Sequence, residues 1–240
     1  MPASSPRFGI PKIALTMARL IVNNEDRGIR FFIVPLCNEH EMYKGVESIS
    51  LPHRSGTQPF DWSLTRFNDV HLPPTALVGS DIRQDTLVPV DRRQAWWDEV
   101  RRVPIGTLVV AAPWISALKA TAVIGGRYSA VRSILGKNSH PIPILSFRTQ
   151  QWPILNATAV AMVLDKWYPA VIDTVMNQSD YRIQHAVAAI AKTTICRYFQ
   201  RCVSEVAERC GAQGTFEHNY MAKVEVSGLE SIFSEHCAEY

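Results

Sequence analysis

Between Tyr181 and Cys210 the chain carries neither glycine nor proline, and that run predicts one long, uninterrupted helix. Asn177-Gln178-Ser179-Asp180 precedes it as a loop closing on an N-cap, and Gly211 follows as a C-cap candidate. A helix of this length draws its stability from an apolar face packed on other elements. Two further helical stretches provide such elements, Trp96-Trp97 to Leu135 and Ile144 to Met176. Pro104 and Pro113 are expected to break or kink the first, and Pro153 and Pro169 the second. Lys137 to Pro143 reads as a polar, proline-containing connection. Three long helices and a shorter last one indicate an up-and-down bundle.

The first third has a different texture. Ile13 to Val22 and Ile29 to Leu36 are β-type runs separated by the polar segment Asn23 to Gly28, which makes a hairpin. Val46 to Leu51 and Trp62 to Val70 follow, split by Pro52, Gly56 and Pro59, and Pro73-Pro74 ends the sheet region. Four or five antiparallel strands are expected up to about residue 79. A sheet that small needs cover on one face. The fold class is therefore α+β: a tail over 1–10, a partial antiparallel β-domain over 11–80 and a helical bundle over 91–240.

Composition narrows the function classes. An apolar fraction of 47% with 20% charged residues is that of an ordinary globular chain. The net charge of +3 is too small and too scattered to argue for nucleic acid, although it suits an anionic ligand such as coenzyme A. The longest apolar run, Ile105 to Ile115, is too short for a membrane span. Residues 1–9 lack the apolar core of a signal peptide, and Ala238-Glu239-Tyr240 is not a peroxisomal tripeptide. Cys37, Cys196, Cys202, Cys210 and Cys237 form no CxxC pair and read as reduced thiols. The seven histidines assemble no metal spacing, and neither a Ser-His-Asp signature nor a P-loop is present. Trp96, Trp97 and Trp152 are expected in the core or at subunit contacts rather than as substrate platforms.

The order of several motifs carries a resemblance. Lys12-Ile13-Ala14-Leu15-Thr16-Met17-Ala18-Arg19-Leu20-Ile21-Val22, then Gly28 to Leu36, then Arg66-Phe67-Asn68-Asp69-Val70-His71-Leu72-Pro73, resemble the second half of the β-domain of acyl-CoA oxidases. Arg102-Val103-Pro104-Ile105-Gly106, Arg127-Tyr128-Ser129-Ala130-Val131-Arg132 and Leu145 to Trp152 resemble the helices that follow it. Glu208 to Gly214 looks like the family's glycine turn, and Phe216-Glu217-His218-Asn219 like the next segment in fungal members. The resemblance is to the acyl-CoA oxidase and acyl-CoA dehydrogenase family, from about residue 11 to about 235. It implies that the N-terminal part of such an enzyme, which holds the flavin ring and the thioester, is missing here.

The resemblance also implies a chemistry: FAD-dependent introduction of a 2,3-double bond into an acyl-CoA, with dioxygen as oxidant if the protein is an oxidase. The base is then Glu235, twenty-one residues after Gly214, with Glu239 as a rival and His236 standing where the family usually has glycine. Arg132 corresponds to the helix arginine that reaches the FAD pyrophosphate, with Arg127 and Ser129 as weaker candidates one turn earlier. Gln150 and Gln151 face the adenosine part of FAD, and Gly211 and Gly214 allow close approach of backbone to cofactor. Each has a plainer alternative: a solvated helix arginine, an ordinary helix surface, or the end of a helix. A homo-oligomer through the helical domain, a peroxisomal or otherwise cytoplasmic location, and a specialised fungal pathway belong to the same expectation. Two other readings stay open: a non-catalytic remnant or subunit needing a full-length partner, and a fold recruited for non-redox chemistry.

Overall fold

A computed structural model describes residue 6 and residues 9–52, 63–78, 92–137 and 139–226. Strand β1 (Lys12–Val22) pairs antiparallel with β2 (Glu25–Cys37). The turn between them is shorter than the polar run suggested. Asn23 and Asn24 both take positive φ, 53° and 62°, the backbone that a two-residue hairpin turn requires. The strand therefore resumes at Glu25. Gly28, at φ 84°, sits where the register slips between Arg19 and Ile21, so the rest of the expected turn is a bulge inside β2. Asp26 fastens that bulge, accepting the Gly28 N–H at 2.8 Å and pairing with Arg19 at 3.5 Å.

Strands β3 (Val46–Ser50) and β4 (Ser63–Phe67) form a two-stranded sheet of their own, and β5 (Leu77–Val78) extends the first sheet beside Phe31 and Phe32. The expected strand set thus divides into two small sheets. Ala14, Leu36 and Val46 make the core between them, with Met42, Phe67 and Val70 packed around it. Helix α1 (Arg92–Glu99) packs on β2, where nearly buried Arg30 meets Glu99 at 3.7 Å. The chain divides into two compact units, Met1–Arg101 and Arg102–Tyr240.

The second unit is an up-and-down bundle of α2 (Val103–Val131), α3 (Arg148–Asn177) and α4 (Tyr181–Arg209). Residues 221–226 add a short helix. Asp180 caps α4 as expected, accepting the Arg182 N–H at 2.9 Å. The prolines divide: one marks a break, as expected, and three do not interrupt their helices. Pro104 lies in the first turn of α2, where a missing N–H costs nothing, and the non-helical residues 100–102 fall just before it. Pro113, Pro153 and Pro169 all lie inside continuous helices. Pro113 and Pro169 are on exposed faces, where the carbonyl that loses its partner can reach water. The seams on either side of each proline stay packed, and that burial holds the helix through the defect.

The first helical stretch also ends sooner than its periodicity predicted. Arg132 turns extended, and β6 (Ser133–Leu135) and β7 (Pro141–Pro143) form a short hairpin where a polar loop was expected. Pro141 and Pro143 fix φ in a range that strands accept. Helix α2 is long and apolar enough to cross a membrane by length and composition, with a mean hydropathy of 1.7 in its most apolar window. One side of it nevertheless builds the bundle core, where Ala111, Ile115, Leu118 and Ala122 meet Ala157 and Ala161 of α3 and Ile195 and Phe199 of α4. Facing alanines let the helices approach closely. Gly125 takes this furthest, since a Cβ there would lie 2.4 Å from Val206 Cγ1.

The four described cysteines, Cys37, Cys196, Cys202 and Cys210, are buried, and no disulfide joins any two of them; Cys237 lies outside the described residues. Burial raises the pKa of Cys202, of Cys210 and of the Tyr168 phenol, whose hydroxyl donates to the Leu108 carbonyl at 2.7 Å.

Two outcomes follow for stability. Gly125→Ala should cost about 1–3 kcal/mol, because Val206 is fully buried and has little room to yield. Gly106→Ala, with open space around it, should gain roughly 0.5–1 kcal/mol. Denaturant titration checks the pair, and equal effects would refute close α2–α4 packing. For the raised thiols and phenol, the fold favours the neutral form, so stability is full below their unfolded pKa values and is lost as pH rises through the folded ones. Tm should be flat between neutrality and about pH 8.5, then fall steadily. A Tm that rises over that alkaline range would contradict the buried, neutral groups.

Candidate functional site

Two of the expected cofactor residues meet inside the bundle. Ser129 Oγ donates to the Gly125 carbonyl at 2.7 Å, the usual backward bond of a helical serine. The same oxygen accepts from Gln150 Nε2 at 2.8 Å. Gln150 Nε2 also donates to the Arg209 carbonyl at 2.9 Å. One amide therefore joins α2, the first turn of α3 and the last residue of α4. Ser129 is fully buried and Gln150 is 8% exposed. The Arg209 carbonyl is one of those that a helix end leaves unpaired, and Gln150 satisfies it.

The glycine turn follows directly. Gly211, at φ 59°, takes the left-handed position beyond the α4 C-cap. Gly214 does something else. It is buried against α4, and a Cβ there would lie 2.3 Å from the Ala207 carbonyl oxygen. The close approach that this glycine permits is to the chain's own backbone.

Beside this junction lies an open groove of about 720 Å³, lined by Arg148, Thr149, Gln151, Trp152, Pro153 and Leu155 of α3 and by Arg209 of α4. Its chemistry is specific. Arg209 Nε is buried and has no hydrogen-bond partner among the described residues, while Nη2 reaches Glu208 at 3.4 Å. Arg148 brings a second guanidinium to the positive end of α3, whose N-cap, Phe147, offers no side-chain cap. Trp152 is 71% exposed and presents an aromatic surface. Guanidinium groups fork two hydrogen bonds onto phosphate oxygens, and an open indole stacks on a planar ring. Together these groups can hold a phosphate-bearing aromatic ligand such as the adenosine diphosphate half of FAD. The unpaired Arg209 Nε–H is the observation that fits such a group.

Among the expected cofactor residues only Gln151 lines this groove. Arg132 caps α2 with its backbone, donating to Tyr128 and accepting from Ile144, both at 2.8 Å, and its side chain is exposed. Arg127 is exposed on α2. Glu235 and its rival Glu239 lie outside the described residues. Sequence reasoning passed over Arg148, Thr149 and Arg209, although Arg148 adjoins the Gln150-Gln151 pair and Arg209 precedes Gly211. Trp152, expected in a core or a subunit contact, is exposed in this chain and borders the groove. A smaller cavity of about 240 Å³ lies in the first unit beside Thr16, Phe32, Val34 and Phe67 and is mostly apolar.

No family model matches the chain. The mouse acyl-coenzyme A oxidase-like protein is 25% identical over 158 residues, which cover 63% of this chain and 25% of the relative. Human peroxisomal acyl-coenzyme A oxidase 3 is 24% identical over 229 residues, covering 86% of this chain and 33% of the relative. Among solved structures, Arabidopsis thaliana acyl-CoA oxidase 1 matches with a TM-score of 0.70 at 21% identity, over 91% of this chain and 36% of that one. Caenorhabditis elegans acyl-CoA oxidase-2, solved with FAD, ascaroside-CoA and ATP, matches with a TM-score of 0.70 at 21% identity, over 90% and 35%. An acyl-CoA dehydrogenase from Geobacillus kaustophilus matches with a TM-score of 0.67 at 16% identity, over 89% and 50%. The chain spans about a quarter to a third of the length of these curated relatives. Sequence and fold agree in what they resemble: the chain is similar in sequence to acyl-CoA oxidases, and its fold matches the part of acyl-CoA oxidase and acyl-CoA dehydrogenase structures that runs from a small antiparallel sheet into a helical bundle.

Proposed function

We propose that the chain is the sheet-and-bundle portion of an FAD-dependent acyl-CoA oxidoreductase, and that the groove at the head of α3 holds the adenosine diphosphate half of the flavin dinucleotide. The observation that carries this reading is the convergence of Arg148, Arg209, Gln151 and open Trp152 on one groove, with a buried Arg209 N–H awaiting an acceptor. Arg148 and Arg209 would take the diphosphate oxygens, Gln151 the polar edge of the adenosine, and Trp152 its ring face. When bound, FAD supplies the hydride acceptor. Glu235 is the proposed base, removing the proton from the carbon next to the thioester. The Arg127-Tyr128-Ser129 run supports the oxidase branch, with dioxygen as final acceptor, and the human relative's name supports a peroxisomal setting. Uncharged exposed side chains on α2 and α3, among them Val109, Val123, Met162 and Val163, support assembly of copies through the bundle.

A second reading has its own support. One face of β1 exposes Ile13, Leu15, Met17 and Ile21, the pattern of a sheet that another polypeptide segment completes. On that reading the chain is a subunit whose flavin site a full-length partner finishes, or a remnant of such a subunit.

Two measurements test the proposal. Titration of the chain with ADP should quench tryptophan fluorescence, with Trp152→Phe losing the quench and Arg209→Ala weakening binding at least about tenfold, the loss of one charge-assisted contact. Absence of saturable ADP binding would overturn the groove reading. In the flavin-loaded protein, acyl-CoA should bleach the flavin absorbance, and Glu235→Gln should abolish bleaching while leaving the flavin bound. A protein that is colourless alone and flavin-loaded only with a full-length relative supports the second reading, while bleaching that persists in Glu235→Gln overturns the role of that residue.

A further inference from the structure

The geometry points to Gln150 as a positioning residue for the groove: it acts on the bound diphosphate through Arg209 and does not touch the ligand. The inference rests on the groove reading above. Gln150 does not line the groove. Its amide nitrogen has both bonds inside the bundle, to Ser129 Oγ and to the Arg209 carbonyl. Ser129 is itself committed to the Gly125 carbonyl, so its lone pair faces Gln150 in one direction. The amide therefore has one way to sit, and its second hydrogen fixes the main chain of Arg209.

The carbonyl side of that main chain is where the helix itself supplies no bond. Arg209 is the last residue of α4, where carbonyls lack intrahelical partners, and the turn beyond it passes through left-handed Gly211. Its side chain is 36% exposed, and its contact with Glu208 is long, 3.4 Å. The buried Nε–H thus has its direction set from the backbone side, by Gln150, before any ligand arrives. A guanidinium aligned in advance loses less freedom on binding than one that must find its pose. A glutamine with its polar group in the interior is also costly unless every bond is made. The same residue consequently links bundle packing to anion binding.

The experiment is a double-mutant cycle on ADP affinity, read by calorimetry with the intact chain, using Gln150→Met, Arg209→Lys and the double variant. Lysine keeps the charge and loses the fork, so binding stays measurable. Gln150→Met should weaken ADP binding about tenfold in the wild-type background, roughly the worth of one hydrogen bond, and change it little in the Arg209→Lys background. Equal weakening in both backgrounds marks a merely structural role and overturns the inference, as does unchanged affinity in Gln150→Met. Gln150→Glu supplies a second readout that survives if the methionine variant folds poorly. Its carboxylate cannot donate at pH 8, whereas a protonated carboxyl can, so its affinity relative to wild type should recover as pH falls toward 6. A ratio that stays constant over that range overturns the inference too. Failure of the wild-type chain to bind ADP is a different result and removes the groove reading itself.

Discussion

The side-chain amide of Gln150 closes two hydrogen bonds at the point where α2, α3 and α4 meet, and the features around the groove depend on it. It holds the carbonyl of Arg209, and with it the exit of α4 into the Gly211–Gly214 turn. Ser129 orients the amide from α2, through a bond that also secures its own helix one turn back. The apolar packing of the bundle is insensitive to direction. These bonds are not, and they set where the end of one helix lies against the start of another. Gly214 then seats backbone on backbone at Ala207, which leaves no space for any side chain at that position.

The helices that converge on this junction survive three internal prolines because burial is continuous across them. A proline removes one backbone bond and crowds the preceding turn, at a cost of about 3 kcal/mol or more. Against that stand long seams of small and branched side chains, with Ala111, Ala157 and Ala161 letting the helices close to near contact and Phe199 packing on Trp114 at 4.9 Å between ring centres. Local propensity yields to tertiary packing where the two disagree.

Much of this was legible in the sequence, and the exceptions have physical causes. Helix α4 could be placed from its lack of glycine and proline, and Asp180 and Gly211 from their residue types at its ends. The hairpin turn was overestimated because Asn23 and Asn24 can both adopt left-handed backbone, so that a polar run continues as strand. Gln150, Gln151, Ser129 and Arg132 were singled out by resemblance, but no one-dimensional pattern tells which polar helix residue turns inward. Gln150 and Ser129 look solvated in sequence and are buried in the fold because each finds a partner on another helix. Arg209 went unnoticed, and Trp152 was assigned to a core or a subunit contact, for the converse reason: their significance lies in what the fold leaves open beside them.

The most direct test of this account is a crystal structure of the chain with ADP. The account predicts the diphosphate between the Arg148 and Arg209 guanidinium groups, the Arg209 Nε–H bonded to a phosphate oxygen, the adenine against Trp152, and the Ser129–Gln150–Arg209 bonds intact. Diphosphate bound elsewhere on the bundle, or Gln150 turned away from Arg209 to contact the nucleotide itself, would contradict it.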